Sequence, residues 1–291
     1  MKALVTGGDG FIGRHLVRQL QNDGIDVDVY DIKQGNDARN TDDLIKHLDD
    51  VAVIYHLAAH ADIALSAINP MLDFDEGTRI TTSVLEAARI AGVKRILFSS
   101  SSAIYGDCGD TVTDENYGPL IPISTYAASK LACEAMLASY CHIFGMTGLA
   151  FRFANVVGPG QPRGVAYDFI RKLKKDPTHL EILGNGTQIK SYVHVSDVVS
   201  AILRAGTMDW SSYNVYNIAT DDTLTATEIA QLACEVNGIG NECVFTYTGG
   251  NNGWPGDVPI VRVSTNRLRS LGWTHTMSSR DAILDSLRSM Q

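Results

Sequence analysis

No apolar run in the sequence approaches the roughly 20 residues of a membrane-spanning helix. The opening Met-Lys-Ala-Leu has neither the basic stretch nor the apolar core of a secretion signal, so the expected setting is cytoplasmic. Cysteine is scarce. Cys108, Cys133, Cys141, Cys234 and Cys243 are odd in number, scattered and never spaced Cys-x-x-Cys, which argues against a disulfide framework and a zinc ribbon. Positive charge is also short: 24 Lys and Arg against 33 Asp and Glu leave a net charge of -9. A nucleic acid selects a basic face and is therefore not an expected partner. A small phosphorylated ligand stays open, because a local site can bind an anion within an acidic chain. There is no internal repeat and no low-complexity tract.

What is there is alternation. "KALVTG", "DVDVYDI", "VAVIYHLA", "KRILFSSSS" and "LAFRFANV" are short runs rich in Val, Ile, Leu, Phe and Tyr, and between them "RHLVRQLQN", "TSVLEAARIAG" and "TYAASKLACEAMLASYCHIF" have helical periodicity. Strand then helix, repeated, predicts an α/β fold: a doubly wound parallel sheet covered on both faces. After about residue 156 the rhythm changes, with frequent Gly and Pro in "NVVGPGQPRG" and shorter elements. A smaller α+β region laid over the ligand edge of the sheet is expected there.

Gly7, Gly10 and Gly13 fall between the first strand and the first helix. Small residues in such a turn let the backbone approach a pyrophosphate at the helix N-terminus, so the turn reads as a dinucleotide site. The spacing is G-x-x-G-x-x-G, and a Gly-rich turn can also serve only to join a strand to a helix. Asp31 ends the second strand, 18 residues after Gly13. An acid there accepts hydrogen bonds from the adenosine ribose and repels a 2'-phosphate, which favours NAD over NADP, although Lys33 lies close and a solvated strand-end Asp is the plain alternative. Tyr126 and Lys130 stand four apart on a predicted helix and so share one face. That helix follows the strand "KRILFSSSS", whose carboxyl end should lie at the cofactor edge.

Taken in order, "TGGDGFIG", Asp31, "HLAA" (His56 to Ala59), "FSSSSAIYG", "YAASK", "FRFANVVGPGQ" and "YVHVSDVVSAI" resemble the extended short-chain dehydrogenase/reductase family, particularly its sugar-nucleotide 4-epimerase and dehydratase branch. The resemblance implies a Rossmann domain at 1–155, with 189–222 returning to it, and a substrate-binding region at 156–188 and 223–291. It implies a homodimer through a bundle that includes the Tyr-Lys helix. It also implies roles. Tyr126 matches the catalytic base, Lys130 the lysine that bonds the nicotinamide ribose and lowers the tyrosine pKa, and Ser101 the hydroxyl that bonds the reacting oxygen. Gly7, Gly10, Phe11, Ile12 and Gly13, with Asp31, the adenine-contacting Asp37 and Ala38, and Leu57, Ala58 and Ala59, match the cofactor contacts.

The position at which the dehydratases and decarboxylases of the branch carry a Glu is here Ala103, after Ser101 and Ser102. An alanine cannot move a proton, so the reading favours a reaction that needs only oxidation and re-reduction: 4-epimerisation of a nucleotide sugar, a UDP-sugar first. On the substrate side Ser101, Ser102 and Asn155 match contacts of the branch, Lys190 replaces an Arg, and in "WPGDV" Trp254 replaces a phosphate-binding Arg ahead of Asp257. Ala61 stands where some 4-epimerases carry a lysine, and "DEG", Asp75 to Gly77, replaces an Asn-rich stretch. An NAD(P)-dependent reductase of the same fold and a non-catalytic dinucleotide-binding regulator remain as alternatives. No metal is expected, since His56 and His60 have no third ligand at metal spacing. His194 reads as a packed residue, and "RKLKK" (Arg171 to Lys175) as a solvated helix face.

Overall fold

The computed structural model describes residues 1–208 and 210–291. β1 (Lys2–Thr6), α1 (Phe11–Asn22), β2 (Asp26–Tyr30), α2 (Thr41–Lys46) and β3 (Val51–His56) open the chain. There follow α3 (Ile63–Ile68), the short α4 (Met71–Asp73), a π-helical turn (Phe74–Thr78), α5 (Arg79–Ala91), β4 (Arg95–Ser101), α6 (Thr125–Phe144) and β5 (Thr147–Phe153). Beyond lie β6 (Asn155–Val157), α7 (Val165–Lys175), β7 (His179–Ile182), β8 (Ile189–Lys190), β9 (Tyr192–His194), α8 (Val195–Gly206) and β10 (Tyr213–Ile218). The chain ends with β11 (Leu224–Thr225), α9 (Ala226–Val236), β12 (Val244–Tyr247), β13 (Ile260–Val261), α10 (Asn266–Arg269) and α11 (Ser279–Arg288).

Six parallel strands in the order β10-β5-β4-β3-β1-β2 form the central sheet. Residues alternate between its two layers as the pleat requires. Along β1, Ala3 and Val5 face one core with Leu16 and Leu20 of α1 and Val198 and Ile202 of α8, while Leu4 faces the other with Leu44, Val84, Leu85 and Leu137 of α2, α5 and α6. Both faces are dry, which is why the strands read as continuous apolar runs. The order turns back between β1 and β3, so their carboxyl ends frame the crevice where a doubly wound sheet takes its ligand.

The expected change of rhythm after residue 156 corresponds to a third core, in which Phe169 and Ile170 of α7, Leu180 of β7, Ile229 of α9 and Leu287 of α11 meet. Short pairs tie this region together: β6 with β9, β8 with β11 and β13, and β12 with β7. One stretch read as substrate-binding behaves differently. Leu268 of α10 and Trp273 just beyond it pack into the first core of the main sheet, and the Trp273 indole donates to Ser200 Oγ at 2.9 Å. A helix of four residues is too short to announce its apolar face in sequence.

Among the described residues no helix is long and apolar enough to cross a membrane. His194 is buried and caps α8, with Asp285 3.1 Å from its Nε2. The lysines of α7 lie on its outer face, where Lys172 pairs with Asp168.

Candidate active site

The Gly-rich turn is shaped by close approach. Gly7 adopts φ +72°, and a Cβ on it would sit 2.7 Å from the Ala58 nitrogen, so the turn rests against the loop after β3. A Cβ at Gly13 would lie 2.1 Å from the Gly7 carbonyl oxygen, which leaves no room for any other residue there. Gly10 donates to that same carbonyl at 3.0 Å and opens α1 without a side-chain cap or an acid in the first turn. The amides of Phe11, Ile12 and Gly13 therefore present the positive end of the helix to the crevice, a site for the pyrophosphate of a dinucleotide.

At the end of β2, Asp31 is buried, and its two carboxylate oxygens accept from the amides of Asp9 and Lys33, each at 2.9 Å. It is not a solvated strand-end acid. Each oxygen keeps a further lone pair for ribose hydroxyls, while Lys33 Nζ is turned onto the Asp9 carbonyl at 2.8 Å. Asp37 is gripped by Arg39 at 2.7 Å, and that hydrogen-bonded guanidinium holds its carboxyl below the usual range. Both line an open recess of about 570 Å³ with Arg79. Ala38 is buried in the second core and offers only its backbone to a ligand.

Leu57, Ala58 and Ala59 form the loop against Gly7. Beneath it, His56 is 1% exposed, held between the hydroxyls of Thr6 (2.7 Å) and Thr81 (3.0 Å) and stacked on Phe98. Burial, with the nearby Lys130 charge, pushes its imidazole down to about 3, so it is neutral. His60, four residues on, faces Asp73 instead at 3.3 Å.

Ser124 caps α6 by accepting from the Ala127 amide, which fixes Tyr126 and Lys130 one turn apart. Lys130 is buried and donates to the Ser99 carbonyl at 2.6 Å; its ammonium stands 4.9 Å from the Phe98 ring centre and 5.9 Å from that of Tyr126. Burial pushes this lysine down to about 8. The four serines of β4 and the turn after it separate cleanly. Ser99 donates to the His56 carbonyl and Ser100 to Glu134 at 2.5 Å, whereas Ser101, at the end of β4, accepts from the Ala103 amide and is the hydroxyl that eases ionisation of Tyr126. Ser102 is buried beside them.

One expectation is not met by the chain alone. Burial pushes the Tyr126 phenol up to about 12; the Ser101 hydroxyl and the Arg163 charge oppose the rise, and Asp73 adds to it. Desolvation outweighs the groups that oppose it, so the phenol is not brought toward neutrality.

The sequence reading missed what holds α6 to the sheet. Glu134, one turn past Lys130, pairs with Arg152 of β5 at 2.8 Å, the Arg152 and Glu134 side chains being 6% and 5% exposed, and also accepts from Tyr213 at 3.2 Å. Arg152 donates to Tyr105, and Tyr105 to Asn217. The visible signal was the spacing Tyr126, Lys130, Glu134 along one helix face.

The residues read from the sequence as substrate-binding form a second group. Lys190 is ion-paired with Asp257 and lies over the Trp254 ring at 5.1 Å, and Asp257 also accepts from the Gly253 amide. Its charge is compensated within the protein. The Trp254 indole nitrogen is buried without a partner. This loop reaches the start of α6, since a Cβ on Gly256 would lie 3.0 Å from that of Ser124. Asn155 spends its amide on the Ser191 carbonyl at 3.3 Å.

The sequence model of the NAD dependent epimerase/dehydratase family matches residues 3–219. A UDP-glucose 4-epimerase of Mycolicibacterium smegmatis is 31% identical over 97% of this chain and 96% of its own length. The crystal structure of a UDP-galactose 4-epimerase is 35% identical and superposes with a TM-score of 0.89 over 100% of this chain and 98% of that one. A UDP-glucose 4-epimerase of Thermus thermophilus, solved in complex with NAD, gives 30% identity and a TM-score of 0.87 over 100% and 99%. A glycine cradle that tolerates no Cβ, an uncapped helix end and a serine, tyrosine and lysine gathered at one sheet edge accompany that likeness: the chain belongs to the NAD-dependent epimerase/dehydratase family.

Proposed function

We propose that this protein is an NAD-dependent nucleotide-sugar 4-epimerase, with a UDP-sugar as substrate. The observation that carries the reading is the gathering of Tyr126 and Lys130 of α6 at the carboxyl end of β4, where Ser101 stands, next to an Ala103 that has no proton to move. The glycine cradle, Asp31 and the loop Leu57 to Ala59 would hold NAD, which when bound would supply the reversible hydride chemistry that 4-epimerisation needs. The chain's own groups handle the proton. Tyr126 takes it from the sugar hydroxyl and gives it back, Ser101 holds the reacting oxygen by a hydrogen bond, and Lys130 supplies positive charge behind the ring. The NAD contacts in this reading are the amides of the α1 turn, Asp31 on the ribose, Asp37 and the Ala38 backbone at the adenine, and the loop Leu57 to Ala59.

Residues 156–188 and much of 223–291 serve as the substrate side, with Ser102, Asn155, Lys190, Trp254 and Asp257 facing the nucleotide sugar. Homodimerisation through α6 belongs to the same reading. The outward side of α6 offers Ala128, Ala135 and Ser139, and its only Lys and Glu, Lys130 and Glu134, are both buried.

The test is proton NMR of the purified protein with UDP-glucose or UDP-galactose and no added cofactor. Conversion to the 4-epimer is the expected result, and Tyr126→Phe should lower turnover at least about 100-fold while NAD binding persists. Turnover that appears only with reduced cofactor and a keto-sugar would instead make the protein a reductase.

A further inference from the structure

Beside Tyr126 and Lys130 lies a polar cluster that this reaction does not call on. Asp73 ends α4 and opens the π-helical turn, a local geometry often found at functional sites. Its side chain is 3% exposed. One carboxylate oxygen accepts from Ser66 Oγ at 2.9 Å and meets His60 Nδ1 at 3.3 Å, whereas the other has no partner. The Asp73 carbonyl accepts from Ser129 Oγ at 2.7 Å, and Ser129 lies between Tyr126 and Lys130 on α6. Gly77 of the same turn approaches so closely that a Cβ on it would stand 2.3 Å from Ser129 Oγ. The His60 amide completes the lock by donating to the Glu76 carbonyl at 3.0 Å.

A buried carboxylate with a bare oxygen is costly to hold unless a nearby positive charge compensates it. The loop after β3, the π-turn and the catalytic helix nonetheless converge to hold this one. We propose that Asp73 is a positioning residue for the proton-transfer step: the fixed negative charge against which Tyr126 and Lys130 are balanced, held by Ser66 and His60. The inference rests on the epimerase reading only for its kinetic consequence. The charges around Asp73 are His60 on the loop, Tyr126, Lys130 and Cys133 on α6, Asp75 and Glu76 on the π-helical turn, and Arg79 at the start of α5. Glu134 lies beyond Lys130, and Arg163 reaches Tyr126 from the loop after β6 while standing 4.0 Å from Asp62. Among these, the Asp73 carboxylate favours the charged lysine and opposes a charged tyrosine.

The consequence is directional. Replacing the carboxylate by its neutral isostere, Asp73→Asn, makes the tyrosine easier to ionise. Its titration, followed by NMR of ring-labelled tyrosine in the cofactor-loaded protein with Tyr126→Phe for assignment, should move down by roughly one pH unit. The acid limb of the pH profile of kcat/KM should follow, and Asp73→Glu should restore it. Ser66→Ala, which loosens the side chain but keeps its charge, should reduce activity without moving the titration. An unmoved Tyr126 in Asp73→Asn, or the same shift in Ser66→Ala, overturns the proposal. Because the NMR titration reads the coupling without turnover, a protein inactive on every nucleotide sugar would sink the epimerase reading and leave this test standing.

Discussion

His56 illustrates how one buried side chain makes stability depend on pH. In the unfolded chain its imidazole titrates near 6.5, and in the fold burial holds it at about 3. Below 6.5 the unfolded state gains a proton that the folded state refuses, so stability is full above that value and falls with acid. From pH 6.5 to 5 the loss should be about 2 kcal/mol. His56→Gln can still hydrogen-bond Thr6 and Thr81 but does not titrate. Urea unfolding at pH 7 and pH 5 should therefore show the parent losing about 2 kcal/mol more than the variant, and equal losses would refute the assignment. Arg152 is the second case at this scale. Arg152→Met leaves Glu134 charged and unpaired among Ser100 and Tyr213, for an expected loss of about 3–5 kcal/mol. Combining it with Glu134→Leu should recover part of that loss, because an apolar pair carries no desolvation penalty. A single-variant loss under about 1 kcal/mol would mean that the pair does not hold the helix.

The turn between β1 and α1 is the element whose sequence spoke most plainly. Three glycines three apart implied a backbone that must be approached, and the 2.1 Å from a Gly13 Cβ to the Gly7 oxygen is that requirement in space. Gly13→Ala must push the turn apart at the helix end, so NAD affinity measured by calorimetry should fall at least tenfold while circular dichroism keeps its helical signal; undiminished binding would show that the cradle can yield. The parallel strands were legible for a related reason, since a strand dry on both faces is written as one apolar run. Local chemistry was legible where residues share a helix face, as Tyr126 and Lys130 do. What escaped was contact between distant segments. Glu134 finds Arg152, Asp73 finds Ser129, and Lys190 finds Asp257 only after the chain folds. A resemblance showed Lys190 and Trp254 standing where the branch carries arginines, but it could not reveal that Asp257 had already met the lysine. The electrostatic balance at Tyr126 was hidden for the same reason, since burial outweighs any neighbour visible in sequence.

For the whole molecule, the outward surface of α6 is the feature still to be explained. An exposed helix normally carries charge on its solvent side, yet this one turns its lysine and glutamate inward and shows Ala128, Ala135 and Ser139 outside. The neighbouring α3, α4 and π-turn add exposed Leu65, Ile68, Met71 and Phe74, with Ile68 81% exposed. These elements pack against α6. Single exposed apolar residues need no explanation, whereas a contiguous group would mark an interface. In the proposed dimer these residues would be covered by a second copy of the chain, because small residues let two such helices approach closely across a twofold axis. Light scattering on the purified protein should then give twice the 31.5 kDa chain mass. Ala135→Arg, pointing away from the catalytic face, should halve that mass at micromolar concentration without unfolding the chain. A parent that already runs as a single chain would remove the dimer, and the surface would have to belong to a different partner.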